Sequence, residues 1–489
     1  MRFVGVGRGL AIGATALAFG VPAAQAGIET EGSTGIGDSF FPNEGNGGYD
    51  VDNYDIELRY DPERNRFLGG TSTEVSAEVT QPNGLTQFDL DYRGPKVSAV
   101  TIDGQPALFV RDGSELVIDA PALIPNDEEF HVGVRYKGKP REVTDPDGST
   151  EGWVRTDDGA FVVGEPLGGP AWFPSNNHPK DKALFDISVE VPKPYKAVSN
   201  GTLDVEKGGN ERTFNWTAEE PMATYLATAT VGRFKTEKDT SPPGSTDFSY
   251  VAVDPRFSGD GSIDKGFDMI EFFEGIFGPY PFAATGGIVD AADVGYALET
   301  QTRPIYPGPP GAGLVAHELA HQWFGNDVSL EDWSQIWLNE GFATYANWLW
   351  SEFRGQQTLS EKLDTICQAG PSSGNWSPPP GSVPGPEVMF HNGVYVRGAA
   401  ALQALRELIG DEDFFEIVGI WAQLGPDVAV ETDDLITLVK DTSPVADATI
   451  DELFEDWVFD EGKPEGCALN KSDGSLDAVL GVPKLSALR

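Results

Sequence analysis

Two of the chain's five histidines, His317 and His321, are four residues apart, with Glu318 between them. Residues four apart on an α-helix lie on one face, so both imidazoles can bind one metal ion. Glu318 lies about 100° round the same helix, where a carboxylate can act as general base on a metal-activated water. Glu340, on the next predicted helix, would supply a third ligand. Two imidazoles and one carboxylate fit Zn²⁺ and leave its fourth position open.

The elements that must position these residues change along the chain. From about Tyr49 to Phe248, short alternating runs such as "LFDISVEV" are broken by Gly, Pro, Asn and Asp, as is typical of antiparallel strands. Stretches such as "GLVAHELAHQWFG" and "IWLNEGFATYANWLWSEF" then carry helical spacing with glycine at or near several ends. The pattern predicts an α+β protein with a β domain over 27–248, a mainly helical domain over 249–466 and a short tail over 467–489.

Residues 1–26 have the pattern of a secretory signal. Arg2 and Arg8 flank or precede an apolar run, and the small-residue sequence "AQA" ends at Ala26. We therefore expect a secreted protein whose mature chain begins near Gly27. The net charge of −43 at pH 7 disfavours nucleic acid and anionic membranes as partners, and no later stretch is long and apolar enough to span a membrane.

The two cysteines, Cys367 and Cys467, do not form a metal-ligand pattern. In an oxidising compartment they have the opportunity to pair, but their spacing does not show that they are close in space, so the pairing stays open. Between them, the stretch "GPSSGNWSPPPGSVPGPE" interrupts the helices and predicts a long surface loop.

The stretch "HELAHQWFGNDVSLEDWSQIWLNEGFATY" resembles the HExxH-x18-E signature of the M1 family of zinc aminopeptidases, in the gluzincin group. The similarity extends to "PMATYLATATVGRF" and "FFEGIFGPYPF" upstream and to "YVRGAAALQALR" and "FEDWVFDEGKP" downstream. It implies a saddle-like β domain, a thermolysin-like catalytic domain, and one Zn²⁺ held by His317, His321 and Glu340, with Glu318 as the base. Many members continue into a helical domain over the active site, whereas only a short tail follows here, so we expect a more open site.

The stretch "GYALETQTRPIY" resembles the family's exopeptidase motif GAMEN, with Ala297 to Thr300 aligned to its last four letters. The resemblance implies that Glu299 binds the α-ammonium group of the substrate and that Ala297 contacts the substrate beside it. Tyr296 stands where the family has Gly, and Thr300 where it has Asn. A carboxylate held at a fixed distance from the zinc measures off one residue and favours an aminopeptidase.

Two further roles follow from the resemblance. "VYVRGAA" resembles the family's Y-x-K-G segment, with Arg397 in place of its lysine, and Tyr395 would donate its phenolic proton to the oxyanion. A phenol can do so near neutral pH because it stays protonated, with a pKa of about 10. "GEPLGGPAWFPSNNHPKDKALF" resembles the segment that carries a second contact to the substrate's amino group, which would be Glu165.

Together these features predict a secreted zinc aminopeptidase that hydrolyses the N-terminal bond of peptides with a free N-terminus, using a zinc-activated water. Two alternatives stay open. A secreted zinc endopeptidase of the same fold would share the zinc site but make no use of Glu299, and a catalytically silent relative would only bind at a surface. The remaining histidines, His131, His178 and His391, lack metal spacing and are predicted to be structural or exposed.

Overall fold

A computed structural model describes residues 30–239 and 248–468. The predicted signal and nearly all of the predicted tail therefore lie outside the described residues. The strands are β1 Tyr49–Asp61, β2 Arg66–Phe67, β3 Ser72–Val79, β4 Leu85–Asp91, β5 Lys96–Ile102, β6 Gln105–Pro106, β7 Leu108–Asp112, β8 Glu115–Ile124, β9 Glu129–Lys137, β10 Glu142–Thr144, β11 Thr150–Arg155, β12 Ala160–Val163, β13 Lys182–Pro192, β14 Lys196–Ser199, β15 Thr202–Lys207, β16 Glu211–Ala223, β17 Ala229–Gly232, β18 Lys235–Asp239, β19 Phe248–Val253, β20 Ala284–Val289, β21 Ile305–Tyr306, β22 Ser329–Leu330 and β23 Ala429–Val430. The α-helices are α1 Gly266–Phe277, α2 Ala312–Ala320, α3 Trp337–Phe353, α4 Leu359–Cys367, α5 Asn392–Ile409, α6 Asp411–Trp421, α7 Thr432–Thr442 and α8 Asp447–Phe454.

The N-terminal half is built on a nine-stranded sheet whose path is β15-β16-β13-β1-β3-β9-β5-β6, with β2 paired to β1. Buried and exposed residues alternate along β1 and β9, as the two-residue period of the sequence predicts. One pairing departs from the predicted antiparallel pattern, because β1 and β13 are parallel. The more than one hundred residues between these two strands provide the long crossover that a parallel pair needs. Smaller sheets β10-β11-β12-β17-β14 and β4-β8-β7 complete this half.

A separate four-stranded sheet, β18-β19-β20-β21, begins the second half. β19, β20 and β21 are parallel to one another, whereas β18 is antiparallel to β19. The sheet crosses the predicted domain boundary at residue 248, since β18 comes before it. The segment between β20 and β21 holds Glu299, so this sheet anchors the predicted amine-binding stretch at both ends.

The helices of the second half pack around α3, which contacts both α2 and α5. Their interior is rich in tryptophan, and the side chains of Trp323, Trp333, Trp337 and Trp421 are at most 2% exposed. Such large rigid side chains fix the helices relative to one another. Within the described ranges, no helix is both long and apolar enough to cross a membrane.

The segment between α4 and α5 is better anchored than a surface loop. Cys367 and Cys467 form a disulfide, so the pairing left open by the sequence is present. Trp376, in the Pro-rich stretch, is fully buried, and its indole N–H donates to the carbonyl of Gly370 at 3.0 Å. The segment is irregular and partly exposed, as the loop prediction implies, but Trp376 and residues 378–380 are buried, so it is not a surface loop throughout.

Candidate active site

The two histidines of the HExxH motif lie at the end of α2. His317 belongs to its last turn, and His321 is the residue that follows the final helical position, still in helical conformation. Their Nε2 atoms are 3.1 Å apart. Glu340, in the first turn of α3, places Oε2 3.1 Å from Nε2 of His317 and 3.4 Å from Nε2 of His321. The structure thus brings the three predicted metal ligands together.

The donor set fits Zn²⁺. Bonds of 2.0–2.1 Å in tetrahedral geometry put neighbouring ligand atoms about 3.3 Å apart, close to the three separations between His317, His321 and Glu340. Nδ1 of His321 lies 3.1 Å from the carbonyl oxygen of Phe324 and can donate to it. That bond leaves the lone pair of Nε2 free for a metal, the usual arrangement of a metal-binding histidine.

Glu318 lies beside this triad and is buried, with 4% of its surface exposed. Ligand atoms of Glu299, Glu318 and His321 all lie within 4.8 Å of one another. Glu318 is therefore close both to a second carboxylate and to a metal ligand. Burial raises the pKa of Glu318 well above its usual range, against the charge on His321, which lowers it. A carboxylate with raised proton affinity next to the metal position is suited to accept a proton from water.

The segment with Glu299 is held by the turn that follows α2. The side-chain amides of Gln322 and Asn326 donate to the backbone carbonyl of Glu299, at 3.1 and 2.9 Å. Gln322 Oε1 also accepts from the backbone N–H of Thr302, at 2.8 Å. Sequence reasoning missed both amides, although Gln322 directly follows the second histidine. They fix the position of Glu299 relative to the metal ligands.

The two departures from the family's exopeptidase motif each have a hydrogen-bond partner in the structure. The Thr300 hydroxyl donates to the carbonyl of Arg303, closing a turn. The Tyr296 hydroxyl donates to the carbonyl of Thr150 in the β domain, at 2.9 Å. Ala297 is half-buried, and the residue after it, Leu298, forms a β-bridge with Ile305. Ala297 can therefore offer only its backbone and a methyl group to a substrate.

Glu165 and Glu299 share an unusual feature. Both are buried, at 8% and 3% exposure, and in each the Oε1 atom has no hydrogen-bond partner among the described residues. Burial raises the pKa of Glu165, and the charges on Glu299 and Glu340 raise it further. Two buried carboxylate oxygens without a partner, close to the metal triad, are suited to accept hydrogen bonds from a cationic group.

Tyr395 lies in the first turns of α5, and its ring stacks on that of His317 with centroids 6.0 Å apart. Burial raises the pKa of Tyr395 well above its usual range, and the charges on Glu340, Glu165, Glu299 and Glu318 act in the same direction. The phenol therefore stays protonated and can donate a hydrogen bond beside the metal position.

Arg397, two residues on, does not face this pocket. Its guanidinium is fully buried and donates to five backbone carbonyls, those of Trp376, Asp456, Trp457, Asp460 and Gly462. It ties the Pro-rich segment and the chain after α8 to the helix that carries Tyr395. Sequence gave no signal of this role, because the carbonyls come from distant segments.

The other histidines are structural or exposed, as predicted. His178 is buried, and its Nε2 lies 3.1 Å from Asp38. Nδ1 of His391 accepts from the backbone N–H of Gly393 at the start of α5, at 3.3 Å. His131 is exposed on β9.

A β domain followed by a helical domain, with two histidines on one helix, a glutamate on the next and a buried glutamate between the histidines, defines a metallopeptidase of the gluzincin class. Comparison with known proteins identifies the family within this class. Residues 51–226 match the family model for the peptidase M1 N-terminal domain, and residues 310–457 match that for the peptidase family M1 domain. This chain belongs to the M1 peptidase family, and its cofactor is Zn²⁺.

Relatives and solved structures agree with this assignment. Aminopeptidase M1-A of Oryza sativa subsp. japonica is 26% identical over 455 residues, covering 84% of this chain and 50% of that protein. The chain spans about half the length of the curated relatives it matches. A two-domain M1 zinc metallopeptidase mutant bound to L-tryptophan superposes with a TM-score of 0.79 at 28% identity, covering 88% of this chain and 99% of that one. An M1 zinc metallopeptidase mutant of Deinococcus radiodurans bound to a Tyr-Ser-Ala substrate gives 0.78, with the same identity and coverage.

Proposed function

We propose that this protein is a secreted zinc aminopeptidase that removes the N-terminal residue from peptides. The observation that carries the proposal is the pair of buried carboxylate oxygens on Glu165 and Glu299, which lack hydrogen-bond partners among the described residues. Leaving two such oxygens unpaired is costly, and a substrate α-ammonium supplies the missing positive charge and donors. An N-blocked or internal peptide segment would leave them unpaired, which is why we favour an aminopeptidase over an endopeptidase of the same fold.

The roles of the residues follow from their positions. When bound, Zn²⁺ would polarise the scissile carbonyl and acidify the attacking water. Glu318 accepts the proton of that water and later delivers it to the leaving amine. Tyr395 donates its phenolic hydrogen to the developing oxyanion, and its raised pKa keeps that hydrogen in place. Glu299 and Glu165 hold the substrate's ammonium, so that only the first peptide bond reaches the base.

Three similar solved structures support this substrate class. The solved structures that superpose well include an M1 zinc metallopeptidase with a Tyr-Ser-Ala substrate and two-domain forms with L-tryptophan or L-arginine. A free tripeptide and free amino acids all carry an α-ammonium group. We extend to this chain only that shared chemistry, a free amino terminus, and not a preference for a particular side chain.

Export is part of the proposal and is supported by two features. Residues 1–26 have the composition of a secretory signal, and Cys367 is bonded to Cys467. Disulfides persist mainly in oxidising compartments. N-terminal sequencing of the protein from the medium of a secreting host should give a start near Gly27, whereas an uncleaved chain retained in the cytoplasm would contradict export.

The amine-anchoring role is tested with Glu299→Gln. This change removes the charge but keeps the shape of the side chain, and the backbone carbonyl of Glu299 can still accept from Gln322 and Asn326. We expect kcat/KM on aminoacyl chromogenic amides to fall by roughly 10²-fold or more, since a desolvated charge pair contributes about 2–5 kcal/mol. Zinc content should stay the same.

The matched control is Glu271→Gln, the same change at an exposed position on α1, which should behave as the parent. N-acetylated versions of the same peptides should not be cleaved by the parent protein. Equal cleavage of acetylated and free peptides would reject the aminopeptidase and favour the endopeptidase. A full loss of activity in Glu271→Gln would show that the assay reports folding instead.

A further inference from the structure

A second group of carboxylates lies away from the zinc ligands. Asp254 directly follows β19, and Asp290 directly follows β20. These strands are parallel, with Val253 paired to Val289, so the two aspartates lie side by side at the carboxyl ends of the strands. The backbone N–H of Asp254 donates to the carbonyl of Val289 at 2.8 Å, which fixes the pair.

The third member comes from the β domain. Asp158 lies in the turn between β11 and β12, and its Oδ2 accepts from the backbone N–H of Arg233 at 3.0 Å. One carboxylate oxygen from each of Asp158, Asp254 and Asp290 lies within 4.8 Å of the other two. Three segments of distant sequence thus converge on one small volume, which we call the aspartate cluster.

Two buried carboxylate oxygens of the aspartate cluster have no hydrogen-bond partner among the described residues. Asp290 is 1% exposed, its Oδ1 accepts from the N–H of Ala291 at 2.7 Å, and its Oδ2 has no partner among the described residues. Oδ1 of Asp158 is buried and likewise bare. Only Asp254 is satisfied, by the backbone N–H and Nε of Arg256 at 2.8 and 2.9 Å. Two guanidiniums, those of Arg256 and the exposed Arg233, lie near the three carboxylates, but neither donates to Oδ2 of Asp290 or to Oδ1 of Asp158. Two buried carboxylate oxygens without a donor are costly unless another cation binds.

We propose that Asp158, Asp254 and Asp290 bind a divalent cation of the calcium type. This ion would join the β domain to the sheet β18-β19-β20-β21, which we call the catalytic sheet. Oxygen atoms about 2.3–2.6 Å from a common Ca²⁺ lie at most about 5 Å apart, which agrees with the spread of this cluster. Ligands made only of carboxylate oxygen select hard cations, whereas imidazole donors suit zinc. The aspartate cluster contains no histidine or cysteine.

A shared proton is the rival explanation. Burial raises the pKa of Asp290 to about 8, and the neighbouring Asp254 and Asp158 also raise it. A proton on Asp290 would remove one charge but would leave the bare oxygen of Asp158 unsatisfied. The two explanations differ in their response to calcium and to an asparagine at position 290, because asparagine mimics the protonated acid but cannot replace a charged ligand.

The experiment uses the full mature chain with zinc bound, freed of calcium on a chelating resin and checked for zinc by metal analysis. Melting temperature is measured with CaCl₂ at about 5 mM and with NaCl at equal ionic strength, because a protein of net charge −43 is stabilised by any salt. We expect calcium to raise the melting temperature by about 3 °C or more above the salt control. Calorimetric titration with Ca²⁺ should show one site.

Asp290→Asn should abolish the calcium-specific rise, and Asp158→Asn should weaken Ca²⁺ binding at least tenfold. Asp157→Asn is the matched control, because it removes the same charge from the same turn at a side chain that is 87% exposed, and it should keep the rise. No calcium-specific rise in the parent, or an equal rise in Asp290→Asn, overturns the proposal. The proposal is also overturned if the parent does not respond to calcium and Asp290→Asn is more stable than the parent. That result is expected if Asp290 shares a proton with its neighbours and binds no metal. If Asp290→Asn fails to fold, titration of the parent and of Asp158→Asn decides.

Discussion

The zinc triad lies within the helical half, whereas the aspartate cluster lies where that half meets the β domain, and the two sites differ in how the chain prepares them for a cation. At the zinc triad, two imidazoles face Glu340, and a backbone carbonyl orients His321. At the aspartate cluster every ligand is a carboxylate, and two arginines, Arg233 and Arg256, lie nearby. Nitrogen donors at 3.1 Å from one another select a small borderline ion, whereas scattered oxygens suit a larger, harder one.

The difference also concerns what each site contributes. Glu318 and Tyr395 lie beside the zinc triad, so the ion there is placed next to groups that can move protons. The aspartate cluster has no such neighbour among the residues described above, and it joins a turn of the β domain to the ends of two strands of the catalytic sheet. We therefore expect the first ion to govern turnover and the second to govern stability.

The largest expected effect is on peptide hydrolysis, when zinc is removed and either Zn²⁺ or Ca²⁺ is added back. Removing zinc with a nitrogen chelator should abolish peptide hydrolysis, because the ion supplies the electrophile that polarises the scissile carbonyl. Added Zn²⁺ should restore activity, and Ca²⁺ should not. Metal analysis of the parent should give about one zinc per chain. Activity that survives complete zinc removal would contradict the assignment of His317, His321 and Glu340 as essential ligands.

A pair of isosteric substitutions sharpens the comparison. Glu318→Gln removes only the base, so turnover should fall by roughly 10²–10⁴-fold while the zinc content and the calcium-dependent rise in melting temperature persist. Asp290→Asn should do the reverse, keeping the zinc and losing the calcium response. Turnover on an aminoacyl amide, zinc content and melting temperature are measured on both proteins. If Glu318→Gln hydrolyses the substrate at the parent rate, the base has been misassigned.

A site can be predicted from the sequence when its ligands are close together along the chain. His317, Glu318 and His321 are on one helix turn and Glu340 begins the next long helix, so spacing alone brings them together. Glu299, Glu165 and Tyr395 came from resemblance to a family, because their convergence depends on packing between elements. The aspartate cluster had no local pattern at all, since Asp254 and Asp290 meet only through the parallel register of β19 and β20.

The same limit applied to the fold. Alternation and helical period separated a β half from a helical half, but they did not reveal the parallel pairing of β1 with β13 or the sheet that crosses residue 248. Both depend on contacts between distant segments. The buried Trp376 likewise shows that a Gly/Pro-rich composition indicates irregular backbone and not exposure.

Arg397 offers a third arrangement, in which the chain supplies the cation itself. Its guanidinium donates to five carbonyls, and burial lowers its pKa to about 10, so the group stays charged at neutral pH. Arg397→Lys keeps the charge, and lysine is the residue of the family motif. However, an ammonium has three N–H donors on one atom and cannot reach five carbonyls spread round a planar fork.

We therefore expect Arg397→Lys to leave at least two buried carbonyls without a donor, at about 1–3 kcal/mol, and to lower the melting temperature by several degrees. The zinc content should not change, and the calcium response should remain, because neither ion touches this position. Arg354→Lys, at an exposed residue beyond α3, is the matched control and should melt as the parent does. A melting temperature equal to the parent's in Arg397→Lys would mean that charge alone holds the carbonyls. In that case a cation with only three donors suffices to organise the five backbone oxygens, and the contrast between built-in and bound cations in this protein would lose its structural basis.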